Sequence, residues 1–245
     1  MEFSVLASGS KGNCTVIKSE EALIIVDCGM SWKYLEKAFV DNDIEYRKAD
    51  ALLITHMHID HNAQIKKFKD ITKYLACSYP DSEKVEFYKS FRIKDLEIMP
   101  LPLSHDCPDT TGYVIKDKNS KLVYITDTGY ISENNKKYLK NADYYIMESN
   151  HDPVLLLNTE RPRIIKQRII CDDGHLSNGE CAYNLQQLVG SKTKEIVLAH
   201  LSSEANSPEM AILTLTEIFA ANKASLKNIK VTAAEQFESY QGGKI

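Results

Sequence analysis

The sequence contains no apolar run that approaches the roughly 18 residues needed to span a bilayer. Its first residues, MEFSVLASGSKGN, have neither the basic segment nor the apolar stretch of a signal peptide. The six cysteines include no C-x-x-C pair, which is typical of reduced thiols rather than of a disulfide framework. From these absences we expect a cytoplasmic protein with no membrane partner.

An excess of positive charge is also absent, because the formal net charge is −4. A small nucleic-acid binder without sequence preference usually carries such an excess, so any contact of this kind must use a local patch. One candidate patch contains Arg161, Arg163, Lys166 and Arg168. A solvated helix face would explain the same run of cations.

Domain boundaries leave no mark on the sequence, which has no repeat, low-complexity stretch or linker-like change of composition. The hydrophobic and charged fractions, 43% and 26%, are those of ordinary globular proteins. We therefore expect a single domain over residues 1–245.

Short apolar runs between turn residues predict eleven strands, after which a polar tail follows. The predicted strands are residues 3–7, 14–18, 22–27, 51–55, 90–93, 96–103, 111–115, 122–126, 144–148, 195–199 and 230–233. The predicted helices are residues 32–42, 62–69, 134–140, 178–189 and 208–222. Most of the histidines and aspartates discussed below lie just past a strand, so we expect the chemistry at strand ends.

Four metal-ligating side chains lie within six residues, in the order His56, His58, Asp60 and His61. A single histidine is more often structural than a ligand, so the prediction depends on the combination. Imidazole and carboxylate at this density suit a borderline divalent ion such as zinc, whereas calcium or magnesium would take oxygen ligands.

Each zinc ion needs three or more protein ligands and an open position for water, so other segments must complete the site. His105, Asp127 and His200 are the natural candidates. Asp127 follows an apolar strand, and its two oxygens can bridge two ions. The sequence Asp127-Thr-Gly is equally compatible with a simple turn.

The H-x-H-x-D-H run resembles the signature of the metallo-β-lactamase superfamily, and Asp27, His105, Asp127 and His200 occur in the order of its remaining motifs. The resemblance implies an α/β fold, a four-layer αβ/βα sandwich with metals in a cleft between the sheet edges. The implied ligand sets are His56, His58 and His105 for one ion and Asp60, His61 and His200 for the other. Asp127 would lie between the ions, and Asp27 would orient a ligand histidine.

The chemistry implied by this resemblance is metal-assisted hydrolysis by a hydroxide that bridges two ions, with Asp60 and Asp127 in the catalytic centre. Zinc is the favoured metal and manganese the alternative. Two adjacent ions suit phosphodiesters, but the same centre serves thioesters, lactones and lactams in other branches of the superfamily.

Two further segments, Glu148-Ser-Asn-His151-Asp152 and Asp173-Gly-His175-Leu-Ser177-Asn178, resemble motifs of nuclease branches such as ribonuclease Z. This resemblance makes His175 and His151 catalytic candidates and Ser177 and Asn178 substrate-binding candidates. Ser177 and Asn178 are equally compatible with a helix N-cap, and His151 with a structural hydrogen bond.

The phrases LASGSKGN, ESNHD, GHLSN and LAHLSSEAN, together with the His56 loop, resemble the YycJ/WalJ-like group of this superfamily. Members of that group are regarded as DNA exonucleases, so the resemblance implies DNA rather than RNA as the substrate. The cations from Arg161 to Arg168 would then contact the DNA backbone. The stretch between Asp127 and His200 is too short for the clamping domain of the ribonuclease J branch.

A second hypothesis is a metal-dependent hydrolase of a small thioester, lactone or phosphate-bearing metabolite, which the acidic net charge permits. A binding protein that had lost catalysis is disfavoured, because it would be expected to lose ligands and all seven are present. The sequence does not indicate an oligomeric state.

Overall fold

Two seven-stranded β-sheets form the framework of the structure, a computed structural model that describes residues 1–243. Positions 244 and 245 of the predicted domain lie outside the described residues. The first sheet contains β1 (Glu2–Ala7), β2 (Cys14–Lys18), β3 (Leu23–Val26), β4 (Ala51–Leu53), β5 (Lys73–Leu75), β6 (Ser82–Lys84) and the last strand, β14 (Tyr240–Gly243). Its strand order is β14-β1-β2-β3-β4-β5-β6, with parallel pairing from β3 to β6.

The second sheet also has seven strands with mixed pairing. It contains β7 (Phe91–Ile93), β8 (Leu96–Pro102), β9 (Thr111–Lys116), β10 (Lys121–Ile125), β11 (Tyr144–Glu148), β12 (Glu195–Ala199) and β13 (Lys230–Ala233). Strands β10 to β13 are parallel, and β7 to β10 pair antiparallel. Both sheets are therefore mixed.

Helices cover the outer face of each sheet. They are α1 (Trp32–Asp41), α2 (Ile59–Asn62), α3 (Glu133–Leu139), α4 (Pro153–Asn158), α5 (Arg163–Ile170), α6 (Asn178–Leu188) and α7 (Pro208–Ala221), with 3-10 turns at Tyr46–Lys48 and Ile65–Lys67. Among residues 1–243 no helix has both the length and the apolar character needed to cross a membrane.

Alternation along the strands separates the cores and confirms the predicted four layers. In β3, Ile24 and Val26 belong to the core between the two sheets, whereas Ile25 belongs to the core under α1. In β10, Tyr124 faces the core between the sheets and Val123 the core under α3, α6 and α7. Because successive strand side chains point to opposite faces, each sheet is buried on both sides.

The predicted helix at residues 62–69 is wrong. The helix begins earlier, as the short α2, and a separate 3-10 turn follows. In a continuing helix the Gln64 N–H would donate to the Asp60 carbonyl, but it donates to Cys28 O at 3.0 Å instead. The Asp60 carbonyl accepts from Asn13 N at 2.8 Å. The backbone groups that would extend the helix therefore form hydrogen bonds with residues elsewhere in the chain.

The prediction that residues 230–233 form the last strand is also wrong, because the polar tail contains β14, which pairs antiparallel with β1. Glu195 holds it in place, accepting from the Tyr240 hydroxyl and from Gly243 N, the latter at 2.8 Å. The sequence Tyr-Gln-Gly-Gly has little strand pattern, so the exposed edge of β1 decides this pairing.

The loop after β3 packs directly against α2, and a glycine makes this approach possible. A Cβ atom added at Gly29 would lie 1.7 Å from the Asp60 carbonyl oxygen, which is backbone and cannot rotate away. The neighbouring Cys28 N donates to His61 O at 2.7 Å.

We predict that Gly29→Ala lowers the free energy of unfolding by about 2–3 kcal/mol, because the new methyl group must displace α2. Gly179→Ala is the matched control, since a Cβ there would meet no atom closer than 3.9 Å. Urea titration of both variants would check this. Equal stability of Gly29→Ala and the wild type would contradict the described loop packing.

Candidate metal centre

The candidate centre lies where strand ends of both sheets converge. Asp27 follows β3 and His56 follows β4 in the first sheet. His105, Asp127 and His200 follow β8, β10 and β12 of the second sheet, in which these three strands run in the same direction. The structure therefore places these candidate residues at strand ends, as the sequence predicted.

Three residues of the centre have left-handed backbone conformations that non-glycine residues adopt only uncommonly. The φ angles are 62° at Asp27, 59° at Asp127 and 55° at His200. Asp27 and His200 directly follow a strand, and Asp127 lies two residues past the end of β10, where this conformation turns the chain sharply. Such strain persists only where surrounding contacts enforce it, and it concentrates at functional sites.

Two groups of side chains reproduce the predicted ligand sets. In the first, His56, His58 and His105 approach one another, and His58 Nδ1 lies 3.3 Å from His105 Nε2. In the second, His61 Nε2 and His200 Nε2 lie 3.5 and 3.9 Å from the same Asp60 oxygen. These spacings are those of atoms that could share an ion.

Asp127 lies between the two groups. Its Oδ2 is 3.1 Å from His61 Nε2, and its Oδ1 is 3.5 Å from His200 Nε2 and 3.9 Å from His105 Nε2. Because one carboxylate reaches ring nitrogens of both groups, it has the position that a bridging ligand requires.

Hydrogen bonds at the far ring nitrogens orient the histidines. Asp27 Oδ2 lies 2.7 Å from His61 Nδ1, and its Oδ1 accepts from Thr55 N at 2.8 Å. The Thr55 hydroxyl lies 3.1 Å from His56 Nδ1. Both imidazoles therefore present Nε2 to the centre, and Asp27 has the orienting position that the sequence predicted for it.

The second sheet supplies the same kind of support. Glu148 Oε1 lies 2.9 Å from His200 Nδ1, and the Gly174 carbonyl lies 3.1 Å from His105 Nδ1. His58 is the exception among the ligand histidines, since its Nδ1 faces His105 and its Nε2 lies 3.6 Å from the Asp106 carboxylate.

Bound divalent ions fit these donors. Within residues 1–243, the buried Nε2 atoms of His56 and His200 have no hydrogen-bond partner. A buried nitrogen without a partner is costly unless something else occupies its lone pair or proton. Imidazole nitrogens with two aspartates suit zinc or a similar transition metal.

Burial and opposite charge perturb the titration of the centre. Burial lowers the pKa of His56 to about 2. Burial would also lower the pKa of His200, but the carboxylates of Asp127, Asp60 and Glu148 together outweigh it and raise that pKa to about 10. The carboxylates of Asp127 and Asp27 likewise raise the pKa of His61 well above its ordinary value. In the metal-free protein, protons on His61 and His200 thus balance the buried acids.

Glu148 has a role that the sequence did not reveal. Its Oε1 accepts from both His200 Nδ1 and His175 Nδ1, the latter at 2.8 Å, and its Oε2 accepts from Thr128 N at 2.9 Å. Burial would raise the Glu148 pKa, but His175 and His200 lower it to about 2. A glutamate at the end of an otherwise apolar strand was the available signal.

His175 and His151 differ in access to the centre. The His175 side chain is partly exposed, and its Nδ1 lies 3.7 Å from Asp127 Oδ1. His151 is buried, and it belongs to none of the candidate metal groups found among residues 1–243. The catalytic role predicted for each remains a prediction.

Ser177 and Asn178 form the predicted helix start. The Ser177 hydroxyl accepts from Glu180 N, and the Glu180 carboxylate accepts from Ser177 N, which completes a capping box for α6. The Asn178 side chain bonds to Ser149 and Asn206. Both residues are buried, and their substrate contacts remain predictions.

Similarity to a known family covers most of the chain. Residues 23–201, which include all seven predicted ligands, match the family described as the beta-lactamase superfamily domain. The chain is 33% identical to "Exodeoxyribonuclease YycJ" of Bacillus anthracis, over 89% of each chain. It is 32% identical to "Exodeoxyribonuclease WalJ" of Streptococcus pneumoniae, over 89% of this chain and 88% of that protein.

A solved structure supports the fold. The metallo-β-lactamase fold protein YhfI of Bacillus subtilis matches with a TM-score of 0.74 at 17% identity, over 98% of this chain and 99% of that chain.

We predict that metal binding to the purified apoprotein releases about two protons near neutral pH, because the ions displace those on His61 and His200. The metal-free form binds more protons than the loaded form, so affinity should rise with pH until the pH passes the His200 pKa of about 10. Zinc titration calorimetry in two buffers of different ionisation enthalpy measures this release. Binding without proton release would contradict the protonation of His61 and His200 in the metal-free protein.

We further predict that Glu148→Gln weakens zinc affinity about 10–100-fold, because an amide cannot support both imidazoles as the carboxylate does. Glu83→Gln is the matched control, since Glu83 is exposed and lies in β6. Competition with a chromogenic chelator measures both affinities. Equal affinities would show that Glu148 does not act on the ligand histidines.

Proposed function

The chain belongs to the β-lactamase superfamily and is a metal-dependent hydrolase, and within that class we propose that it is a dinuclear exonuclease acting on DNA. The observation that carries this proposal is the similarity to two proteins named exodeoxyribonuclease over almost nine-tenths of the chain. The grouping of all seven predicted donors in one centre supports the dinuclear assignment.

We propose two zinc ions as the resident metals, with manganese as the alternative. His56, His58 and His105 would hold one ion, Asp60, His61 and His200 the other, and Asp127 would contact both. When bound, two such ions would activate water as a nucleophile and polarise the phosphodiester.

His175 is the residue that we propose as the proton donor to the leaving oxygen. Glu148 engages its Nδ1, so its Nε2 remains available for a substrate. The ring lies beside His105 and His200, with ring centroids 5.0 and 5.3 Å away. A general acid must reach the leaving group within hydrogen-bond distance, and partly exposed His175 meets this requirement better than buried His151.

We predict that Asp127→Ala reduces the degradation of end-labelled DNA by at least about a thousandfold, because it removes the carboxylate shared by both metal groups. The assay would compare single- and double-stranded DNA and RNA with zinc- or manganese-loaded protein. Asp70→Ala, which changes an exposed carboxylate outside the candidate metal groups, is the control.

Stepwise shortening of DNA from one end by the wild type and the control, but not by Asp127→Ala, would establish the proposed activity. Release of internal fragments would show that the protein is an endonuclease rather than an exonuclease. If the metal-loaded protein cleaved neither DNA nor RNA, the proposal would fail, and hydrolysis of a small thioester, lactone or phosphate-bearing metabolite would be tested next.

A further inference from the structure

Three of the four cations that precede α6 have side-chain contacts with the described residues, and these contacts differ. Arg161 Nε donates to the Glu204 carboxylate at 2.9 Å. Lys166 Nζ donates to the carbonyls of Leu157 and Thr159, at 2.7 Å each, and so fastens α5 to the end of α4. Neither set of contacts includes a residue of the candidate metal centre.

Arg168 is different, because one carboxylate separates it from the first metal group. Its Nε donates to Asp106 Oδ2. The other Asp106 oxygen lies 3.6 Å from His58 Nε2 and 3.4 Å from His105 Nε2. The guanidinium group is therefore at the rim of the centre.

The backbone that carries Arg168 is fixed relative to the centre. His175 N donates to Ile169 O at 2.9 Å, which joins the end of α5 to the segment of the proposed proton donor. A Cβ atom at Gly174 would lie 2.4 Å from Arg168 O, so only glycine permits this close packing. The Gly174 carbonyl also orients His105. Arg168, His105 and His175 are thus held by one short segment.

The guanidinium group is oriented but not saturated. Its Nε is engaged by Asp106, whereas its two terminal amino groups make no hydrogen bond to the part of the chain that the structure describes. The side chain is 52% exposed. A planar pair of N–H donors matches two oxygens of a phosphate, and arginine adds positive charge without competing for a metal ion.

On the basis of the proposed phosphodiester hydrolysis, we propose that Arg168 binds non-bridging phosphate oxygens of the substrate and that Asp106 is the positioning residue that sets its direction. The pair gives the site a preference for anionic phosphate esters over neutral thioesters and lactones. Of the four cations predicted from the sequence to contact substrate, the structure assigns this role to Arg168.

Calorimetric titration of the metal-loaded protein with thymidine 5′-monophosphate tests the proposal. Arg168→Gln should weaken binding about 10–100-fold, since a charge-assisted bidentate contact is lost. Arg168→Lys should also bind weakly, because an ammonium group lacks both Nε and the planar fork. Asp106→Asn should give a smaller loss, because the arginine keeps its charge but loses its orientation.

Arg92→Gln is the matched control, since it removes the same charge from an exposed position on the edge strand β7. It should change binding less than about twofold. Metal content and thermal melting of each variant show whether the centre and fold are intact, and Arg168→Lys provides the test if Arg168→Gln does not fold.

Steady-state kinetics on DNA give a second readout, in which Arg168→Gln raises KM more than it lowers kcat. Wild-type-like nucleotide binding by Arg168→Gln would overturn the inference and leave the nuclease proposal intact, as would an equal loss in Arg92→Gln. A third outcome is that the wild type does not cleave DNA but Arg168→Gln still binds thymidine 5′-monophosphate more weakly than the wild type does. The nuclease proposal would then fail, and the proposed phosphate contact of Arg168 would be supported.

Discussion

The contact between Asp127 and His61 is the interaction on which the centre depends, because it joins the two sheets at their shared edge. Asp127 follows β10 of the second sheet, and His61 lies in α2, after β4 of the first. Their side chains approach to 3.1 Å where both are almost completely buried. A carboxylate so placed needs positive charge nearby, which protons supply in the metal-free protein and bound ions would supply in the loaded one. The contact thus links the two sheets at the edge where the candidate centre lies.

Four of the five histidines in the candidate ligand sets have a partner at Nδ1 from outside those sets, and His58, whose Nδ1 faces His105, is the exception. Asp27 and Thr55 act from the first sheet, whereas Glu148 and the Gly174 carbonyl act from the second. Because these partners engage Nδ1, they leave Nε2 free to face inward. These contacts orient the four rings, which is what preorganised metal binding requires.

The helices α4 and α5 form an additional packed unit beside the two-sheet framework. It has its own small core of Leu156, Ile165 and Ile169 with Ala205. Through Arg168 and the segment of Gly174 it meets the candidate metal centre, where the Gly174 carbonyl lies 3.1 Å from His105 Nδ1. In the proposed function, strand ends and the α2 segment supply the metal ligands, and this helical pair supplies the phosphate contact of Arg168.

The sequence by itself predicted most strands and the dense His56 to His61 run of candidate ligands, because both are local patterns, and its resemblance to the metallo-β-lactamase superfamily implied the four-layer fold. It did not reveal β14, the early end of α2 or the contacts of Glu148, since each depends on hydrogen bonds between residues far apart in the chain. The cations near α5 illustrate the same limit. All four look alike in the sequence, but only folding brings Arg168 to Asp106 and directs Lys166 to the end of α4. The sequence shows which side chains are charged. Tertiary packing decides which partner each charged side chain contacts, and the partner determines its role.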